Sequence, residues 1–145
     1  MEVQEFLTKE QEQRVIQAIQ KAEKRTSGEI RVHFERNTKQ DALFRAEEVF
    51  YGLDMHKTKF KNGVLFYVAV DDHKFAIVGD QGIDKVVPDN FWESIKNEVL
   101  SEFSKGDHAR GLELGILHAG EKLEEFFPVS EDDDNELPDE ISTRF

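Results

Sequence analysis

The first third of the chain changes from a helical to an extended hydrophobic pattern and back. Apolar residues recur at helical spacing over about 9–25, and Thr8 followed by Gln11 has the pattern of a capping box, which together predict a first helix. Apolar and polar residues alternate over 29–35, the period of a strand. A second helical pattern covers about 41–51, with an aspartate in the capping position.

The middle of the chain contains two strand patterns separated by a short polar turn. Residues 64–70 are a continuous apolar run, which is typical of a central strand covered on both faces. The strand pattern returns at 75–78, and the polar residues 71–73 between the two runs predict an antiparallel hairpin. Apolar stripes at helical spacing then predict a third helix over about 92–103 and a fourth over about 107–126.

These elements follow one another in the order α-β-α-β-β-α-α. A strand, a helix and a second strand favour a parallel, right-handed unit, and the hairpin adds the third strand antiparallel to it. We therefore predict an α/β fold, a three-layer α/β/α sandwich around a small mixed sheet, formed by residues 1–128. Its length is that of one domain.

Residues 129–145 differ from the rest of the chain in charge. They carry seven acidic residues against a single arginine, and hence half of the net charge of −12. Because the segment has no apolar periodicity, we expect a disordered acidic tail that buries no area. The overall negative charge argues against a nucleic-acid partner, which would need lysines and arginines, and favours divalent cations or a basic protein partner.

The absence of cysteine excludes disulfides, thiolate metal ligands and thiol nucleophiles. The N-terminus lacks a basic start followed by an apolar run, and no stretch approaches the roughly 20 apolar residues of a membrane span. As given, the sequence predicts a cytoplasmic protein with no direct insertion into a membrane.

Five short motifs occur in an order that resembles the TPM domain family. They lie before or within the first two strands, in the hairpin, after the third strand and before the fourth helix: SGEI at 27–30, NGVL at 62–65, DDHK at 71–74, GDQGI at 79–83 and KGD at 105–107. The resemblance covers about 5–127. It implies an α/β/α sandwich, divalent-cation binding by acidic loop residues and, for some plant members, acid phosphatase activity. Many members carry a signal peptide, a transmembrane helix and a Gly-rich tail, which this sequence does not show.

One group of acidic residues is predicted where the parallel strands end. Asp71 and Asp72 follow the central strand, and Asp107, at the family's Gly-Asp position, is expected to return to the same edge. Ligand sites in open α/β sheets favour this edge, and carboxylate oxygens suit Ca²⁺ or Mg²⁺. The alternative is that Asp71 and Asp72 are only turn residues and that Asp107 only caps a helix.

A second acidic group is predicted at the opposite edge of the sheet. Its members are Glu29, Asn62, Asp80 and Asp84. The glycines at 79 and 82 would let the backbone approach an ion closely, and Glu29 matches a family position at which Glu or Gln recurs. The alternative is a glycine-permitted turn with solvated carboxylates.

The histidines do not form a metal-ligand pattern. His73 and His108 neighbour the first acidic group, where either could act as a general acid or contact a phosphate. His33, His56 and His118 are predicted to lie on the surface.

The residues carry no nucleophile elbow, P-loop or dinucleotide fingerprint. We therefore expect a divalent-cation-binding module, non-enzymatic, with a structural or protein-interaction role. The alternative is a weak metal-dependent acid phosphatase in which Asp71, Asp72 and Asp107 hold the ion.

Overall fold

The computed structural model describes residues 6–129 and 137–143. The helices are α1 (Lys9–Glu23), α2 (Ala42–Gly52), α3 (Gln81–Asp84), α4 (Glu93–Ser104) and α5 (His108–Glu124), and the strands are β1 (Glu29–Glu35), β2 (Gly63–Ala69) and β3 (Lys74–Gly79). A short 3₁₀ helix, Met55–Lys57, precedes β2. The order confirms the α-β-α-β-β-α-α prediction, to which the structure adds the single-turn helix α3.

The strands form a mixed sheet in the order β1-β2-β3. β1 and β2 are parallel, with Glu29 opposite Gly63, and β2 and β3 are antiparallel, with Val64 opposite Gly79. Every residue of β2 is buried. The prediction of a central strand is therefore confirmed, and β1 has one edge that no other strand of the sheet covers.

Helices cover both faces of the sheet, which confirms the three-layer sandwich. The side chains of Val64, Phe66 and Val68 pack with α1, α4 and α5, whereas Leu65 and Tyr67 pack with α2 on the other face. This division follows from the strand period of two, because successive side chains of β2 point to opposite faces.

Local capping explains where three of the helices begin. Thr8 and Gln11 form the predicted capping box, each side chain accepting a hydrogen bond from the other residue's backbone N–H, at 3.1 and 2.8 Å. Asp41 caps α2 and Asp107 caps α5 through their carboxylates. Such caps satisfy N–H groups that have no partner within the helix.

Residues 137–143 lie against the outer edge of β1, where the charge pattern had predicted a solvated tail. Leu137 is 8% exposed and packs in the core on the α2 side, and Ser142 is 6% exposed. The Ser142 N–H donates to Val32 O at 2.8 Å, and its carbonyl accepts from Phe34 N–H at 2.9 Å. The outer edge of β1 presents backbone N–H and C=O groups that no other strand pairs, and an extended segment can bind to them although its side chains are mostly polar. Residues 130–136 and 144–145 of the expected tail lie outside the described residues.

Candidate functional site

Each of the three acidic residues at the carboxyl end of the parallel strands has a different hydrogen-bond partner. Asp71 Oδ2 accepts a hydrogen bond from Arg36 Nε at 3.3 Å, and Asp72 Oδ2 accepts one from Thr38 N–H at 2.7 Å. Asp107 Oδ1 accepts one from Arg110 N–H at 3.2 Å, as the N-cap of α5. Within residues 6–129 and 137–143, no three Asp, Glu or His side chains are grouped to hold a metal ion.

The two histidines at this edge have different environments. His73 lies in the hairpin with a positive φ of 55°. The ring of His108 packs against Phe6 and Phe103, at centroid distances of 4.3 and 5.1 Å. Burial, followed by the nearby His73, lowers the pKa of His108. At neutral pH His108 is therefore neutral and packs as an aromatic side chain.

A shallow cavity of about 440 Å³ opens beside the hairpin, and three of its nine lining residues are lysines. Among its lining residues are Lys39, His73, Lys74 and Lys96. Lys74 Nζ donates to the carbonyl oxygens of Thr38 and Gln40, at 3.2 and 3.3 Å. The concave surface at this edge thus presents lysines.

Asp80 is the most unusual acidic residue at the opposite edge. It is 4% exposed and directly follows β3. Its backbone N–H donates to Gly63 O of β2 at 3.0 Å, which extends the pairing of the two strands by one hydrogen bond. Oδ1 accepts from Gln81 N–H at 2.8 Å. Oδ2 is buried and has no hydrogen-bond partner in the described part of the chain. A buried polar atom without a partner carries a desolvation cost that some ligand could relieve.

Asp84 lies one helical turn beyond Asp80. Partial burial and then the negative charge of Asp80 raise the pKa of the Asp84 carboxyl. The turn between them passes close to other backbone, since a Cβ on Gly82 would collide with the carbonyl oxygens of Phe60 and Lys61. Glycine is therefore required at position 82, and the carbonyl oxygens of residues 60 and 61 lie close to the turn.

The other two members of the second acidic group are directed elsewhere. Glu29 is buried, and its Oε1 accepts a hydrogen bond from the Leu137 N–H at 2.8 Å. The Asn62 side chain donates to Ser27 Oγ at 3.3 Å. Glu29 begins β1 and contacts Leu137, whereas Asp80 and Asp84 follow β3, on the far side of β2.

Sequence reasoning missed Glu23, whose pKa is the most strongly raised of the carboxyl groups in the described part of the chain. Burial and then a hydrogen bond to Asp139 raise the pKa of Glu23 to about 9, and the charge of Glu29 adds to the effect. Glu23 Oε2 also accepts from Ile30 N–H at 3.2 Å. The available signal was the position of Glu23 directly after the buried Ala22 on the apolar stripe of α1.

The prediction that His33 lies on the surface is wrong, because Ser142, Glu35 and Tyr67 surround it. His33 is 1% exposed, with Nδ1 3.0 Å from Ser142 Oγ and Nε2 3.4 Å from Glu35 Oε2. Arg45 donates two hydrogen bonds to Glu35 at 2.8 and 3.1 Å, and Tyr67 donates a third. Burial lowers the pKa of His33, which therefore stays neutral. These contacts link Ser142 to the polar network under α2.

The arrangement as a whole, a small mixed sheet between helical layers with acidic turns at both ends, defines a class of α/β/α sandwich domains. The TPM domain family model matches residues 2–122, and the chain therefore belongs to this family. It is similar to the BA42 protein from the psychrophilic bacterium Bizionia argentinensis, whose NMR structure has a TM-score of 0.92 and 48% sequence identity, with 99% of each chain covered. No curated protein matches the chain. Among residues 6–129 and 137–143, every helix is too short or too polar to span a bilayer.

Proposed function

We propose that this protein is a divalent-cation-binding module with a structural or protein-interaction role, and that Ca²⁺ or Mg²⁺ binds at the turn between Asp80 and Asp84. The observation that carries this proposal is the buried Oδ2 of Asp80, which has no hydrogen-bond partner among the described residues. A cation bound to this oxygen would offset the cost of its burial.

The chemistry of the turn suits a hard cation. Ca²⁺ and Mg²⁺ prefer oxygen ligands, and Mg²⁺ is commonly bound through one or two carboxylates while it keeps several waters. The turn offers the carboxylates of Asp80 and Asp84, beside the carbonyl oxygens of Phe60 and Lys61. With two carboxylates rather than three or more, we expect a hydrated ion and modest affinity.

The electrostatics of the turn support the same proposal. The charge of Asp80 contributes to the raised pKa of Asp84, so the two carboxylates repel each other. A divalent cation removes that repulsion, and only the folded chain holds the two groups together. At a concentration a hundredfold above the dissociation constant, calcium should therefore raise the free energy of unfolding by about 2.7 kcal/mol.

The experiment compares both ends of the sheet by chemical denaturation with and without calcium. Asp80→Asn should abolish the calcium response, and it should cost little in the metal-free protein because it removes a repelling charge. Asp72→Asn and Asp107→Asn are the matched controls and should keep the response. If the response survives Asp80→Asn and disappears in either control, the ion binds at the carboxyl end of the parallel strands. If calcium does not stabilise the parent protein, the proposal fails.

The alternative implied by the resemblance, a metal-dependent acid phosphatase, makes a different prediction. It requires turnover of a phosphomonoester that is lost in Asp72→Asn and Asp107→Asn. A calcium response without such turnover favours the non-enzymatic module.

A further inference from the structure

The outer edge of β1 holds a segment that is not part of the sheet. Residues 137–143 run parallel to β1 and form one bridge, between His33 and Ser142, with two backbone hydrogen bonds of 2.8 and 2.9 Å. Extended segments add to an exposed sheet edge through such main-chain hydrogen bonds, while side-chain pockets supply specificity. The edge of β1 is therefore able to take an extended peptide.

Two side-chain contacts anchor this segment at its ends. Leu137 is buried in the core on the α2 side, and its N–H donates to Glu29 at 2.8 Å. At the other end, Ser142 Oγ lies 3.0 Å from Nδ1 of the buried His33. The segment is therefore held by an apolar residue at one end and by a small hydroxyl residue five positions later.

The contact between these anchors has poor charge complementarity. Asp139 forms a hydrogen bond with Glu23, and Glu29 adds a third carboxyl group nearby. Two carboxyl groups can share a hydrogen bond only when one of them is protonated. Burial, and then this hydrogen bond to Asp139, raise the pKa of Glu23 to about 9. Arg31, on β1, interacts electrostatically with Glu140.

We propose that the edge of β1, together with Glu23 and Glu29, is a strand-addition site for an extended segment of a partner protein that carries Lys or Arg opposite these glutamates, and that residues 137–143 occupy it in the partner's absence. The partner pattern is an apolar residue, a basic residue two positions later and Ser or Thr three positions after that. This site is separate from the Asp80–Asp84 turn, so either proposal can fail without the other.

Charge complementarity explains why a partner would displace the chain's own segment. A lysine in place of Asp139 would form an ion pair with the ionised glutamates and would not require a protonated carboxyl group. The internal segment has the advantage of a high effective concentration, in the millimolar range for a short connection. A basic partner segment can compensate for this through its better charge match with the site.

The first test measures hydrogen exchange of the Phe34 amide in the full chain, because this amide donates to Ser142. Asp139→Lys should increase its protection at pH 7 by about tenfold or more, the size expected for a hydrogen bond between charged groups. Glu140→Lys, with the same change in charge at the next residue, should not, because Glu140 faces Arg31. The amide of Val68, in the central strand, reports changes in global stability. Equal protection of Phe34 in both variants would overturn the proposal.

The second test adds peptides to the unmodified full chain and follows the backbone amide resonances of Val32 and Phe34. One peptide has the sequence of residues 137–143, and the other has lysine at the position of Asp139. The lysine peptide should bind at least about tenfold more tightly at pH 7, and Glu23→Gln combined with Glu29→Gln should remove that preference. Absence of binding at millimolar concentration, or equal binding of the two peptides, would overturn the proposal.

Discussion

The acidic residues at the carboxyl end of the parallel strands and those buried near the other end of the sheet show opposite behaviour. Asp72 and Asp107 are conspicuous in the sequence, and each accepts a hydrogen bond from a backbone N–H in an exposed setting. The structure gives Glu23, which the sequence patterns did not single out, a strongly raised pKa. It gives Asp80 a buried oxygen that has no hydrogen-bond partner among the described residues. Turn and cap residues can be recognised from their neighbours in the sequence, whereas a raised pKa or a buried oxygen without a hydrogen bond results from burial in the folded chain.

Asp107 and Glu23 differ in the distance along the chain from which their partners come. Asp107 caps the helix that it begins, so its partner is fixed by local geometry. Glu23 is surrounded by Asp139 and Glu29, from the far end of the chain and from another element, and burial is the largest cause of its raised pKa. Such an environment exists only after the sheet, α1 and the C-terminal segment have packed together.

The strongest test of this comparison removes the C-terminal segment. Ending the chain after Val129 should lower the free energy of unfolding by about 2–3 kcal/mol, chiefly because the buried side chain of Leu137 is lost. Chemical denaturation measures this value, and Leu137→Ala in the full chain should account for most of the loss. An unchanged unfolding midpoint after truncation would show that residues 137–143 contribute nothing to stability.

The pH dependence of stability should distinguish Glu23 from ordinary surface glutamates. The ordinary pKa of 4.5 is raised to about 9, so between these values the folded chain binds a proton that the unfolded chain has lost. The free energy of unfolding should therefore fall as pH rises through this window, by at most about 1.4 kcal/mol per pH unit from this group. Glu23→Gln should weaken this slope and be more stable than the parent at pH 9.

Urea denaturation at pH 6, 7.5 and 9 measures that slope, with Glu10→Gln in the exposed first turn of α1 as the control. The control should keep the slope of the parent protein. Identical slopes in the parent and Glu23→Gln would show that Glu23 titrates normally and that its contact with Asp139 is unimportant.

The smallest expected effects concern the cap of α5. Asp107→Ala should lower the free energy of unfolding by about 1 kcal/mol, because the Arg110 N–H loses its partner. Asp107→Asn should cost only a few tenths of a kcal/mol, since asparagine caps helices nearly as well. If Asp107→Asn stabilised the metal-free protein and destroyed its calcium response, Asp107 would be a cation ligand as well as a cap.

Particular residues show where prediction from the sequence ends. The capping box of Thr8 and Gln11 and the central strand over 64–70 are local patterns, and the structure contains both. The position of Leu137 was not predictable in the same way, since one apolar residue in an acidic segment has no periodicity. His33 was placed on the surface for a similar reason: strand alternation says which face a residue is on, and only packing says what covers that face.

The sequence by itself determined the order of helices and strands, the centre of the sheet, the principal caps and the resemblance to the TPM domain family, because periodicity, capping and turn chemistry act over a few residues. The tertiary structure alone decided that Asp80 keeps a buried oxygen, that Glu23 meets Asp139 and that residues 137–143 lie along β1. These features depend on desolvation and on contacts between distant parts of the chain. Neither has a signature in neighbouring residues, because both are properties of the packed molecule.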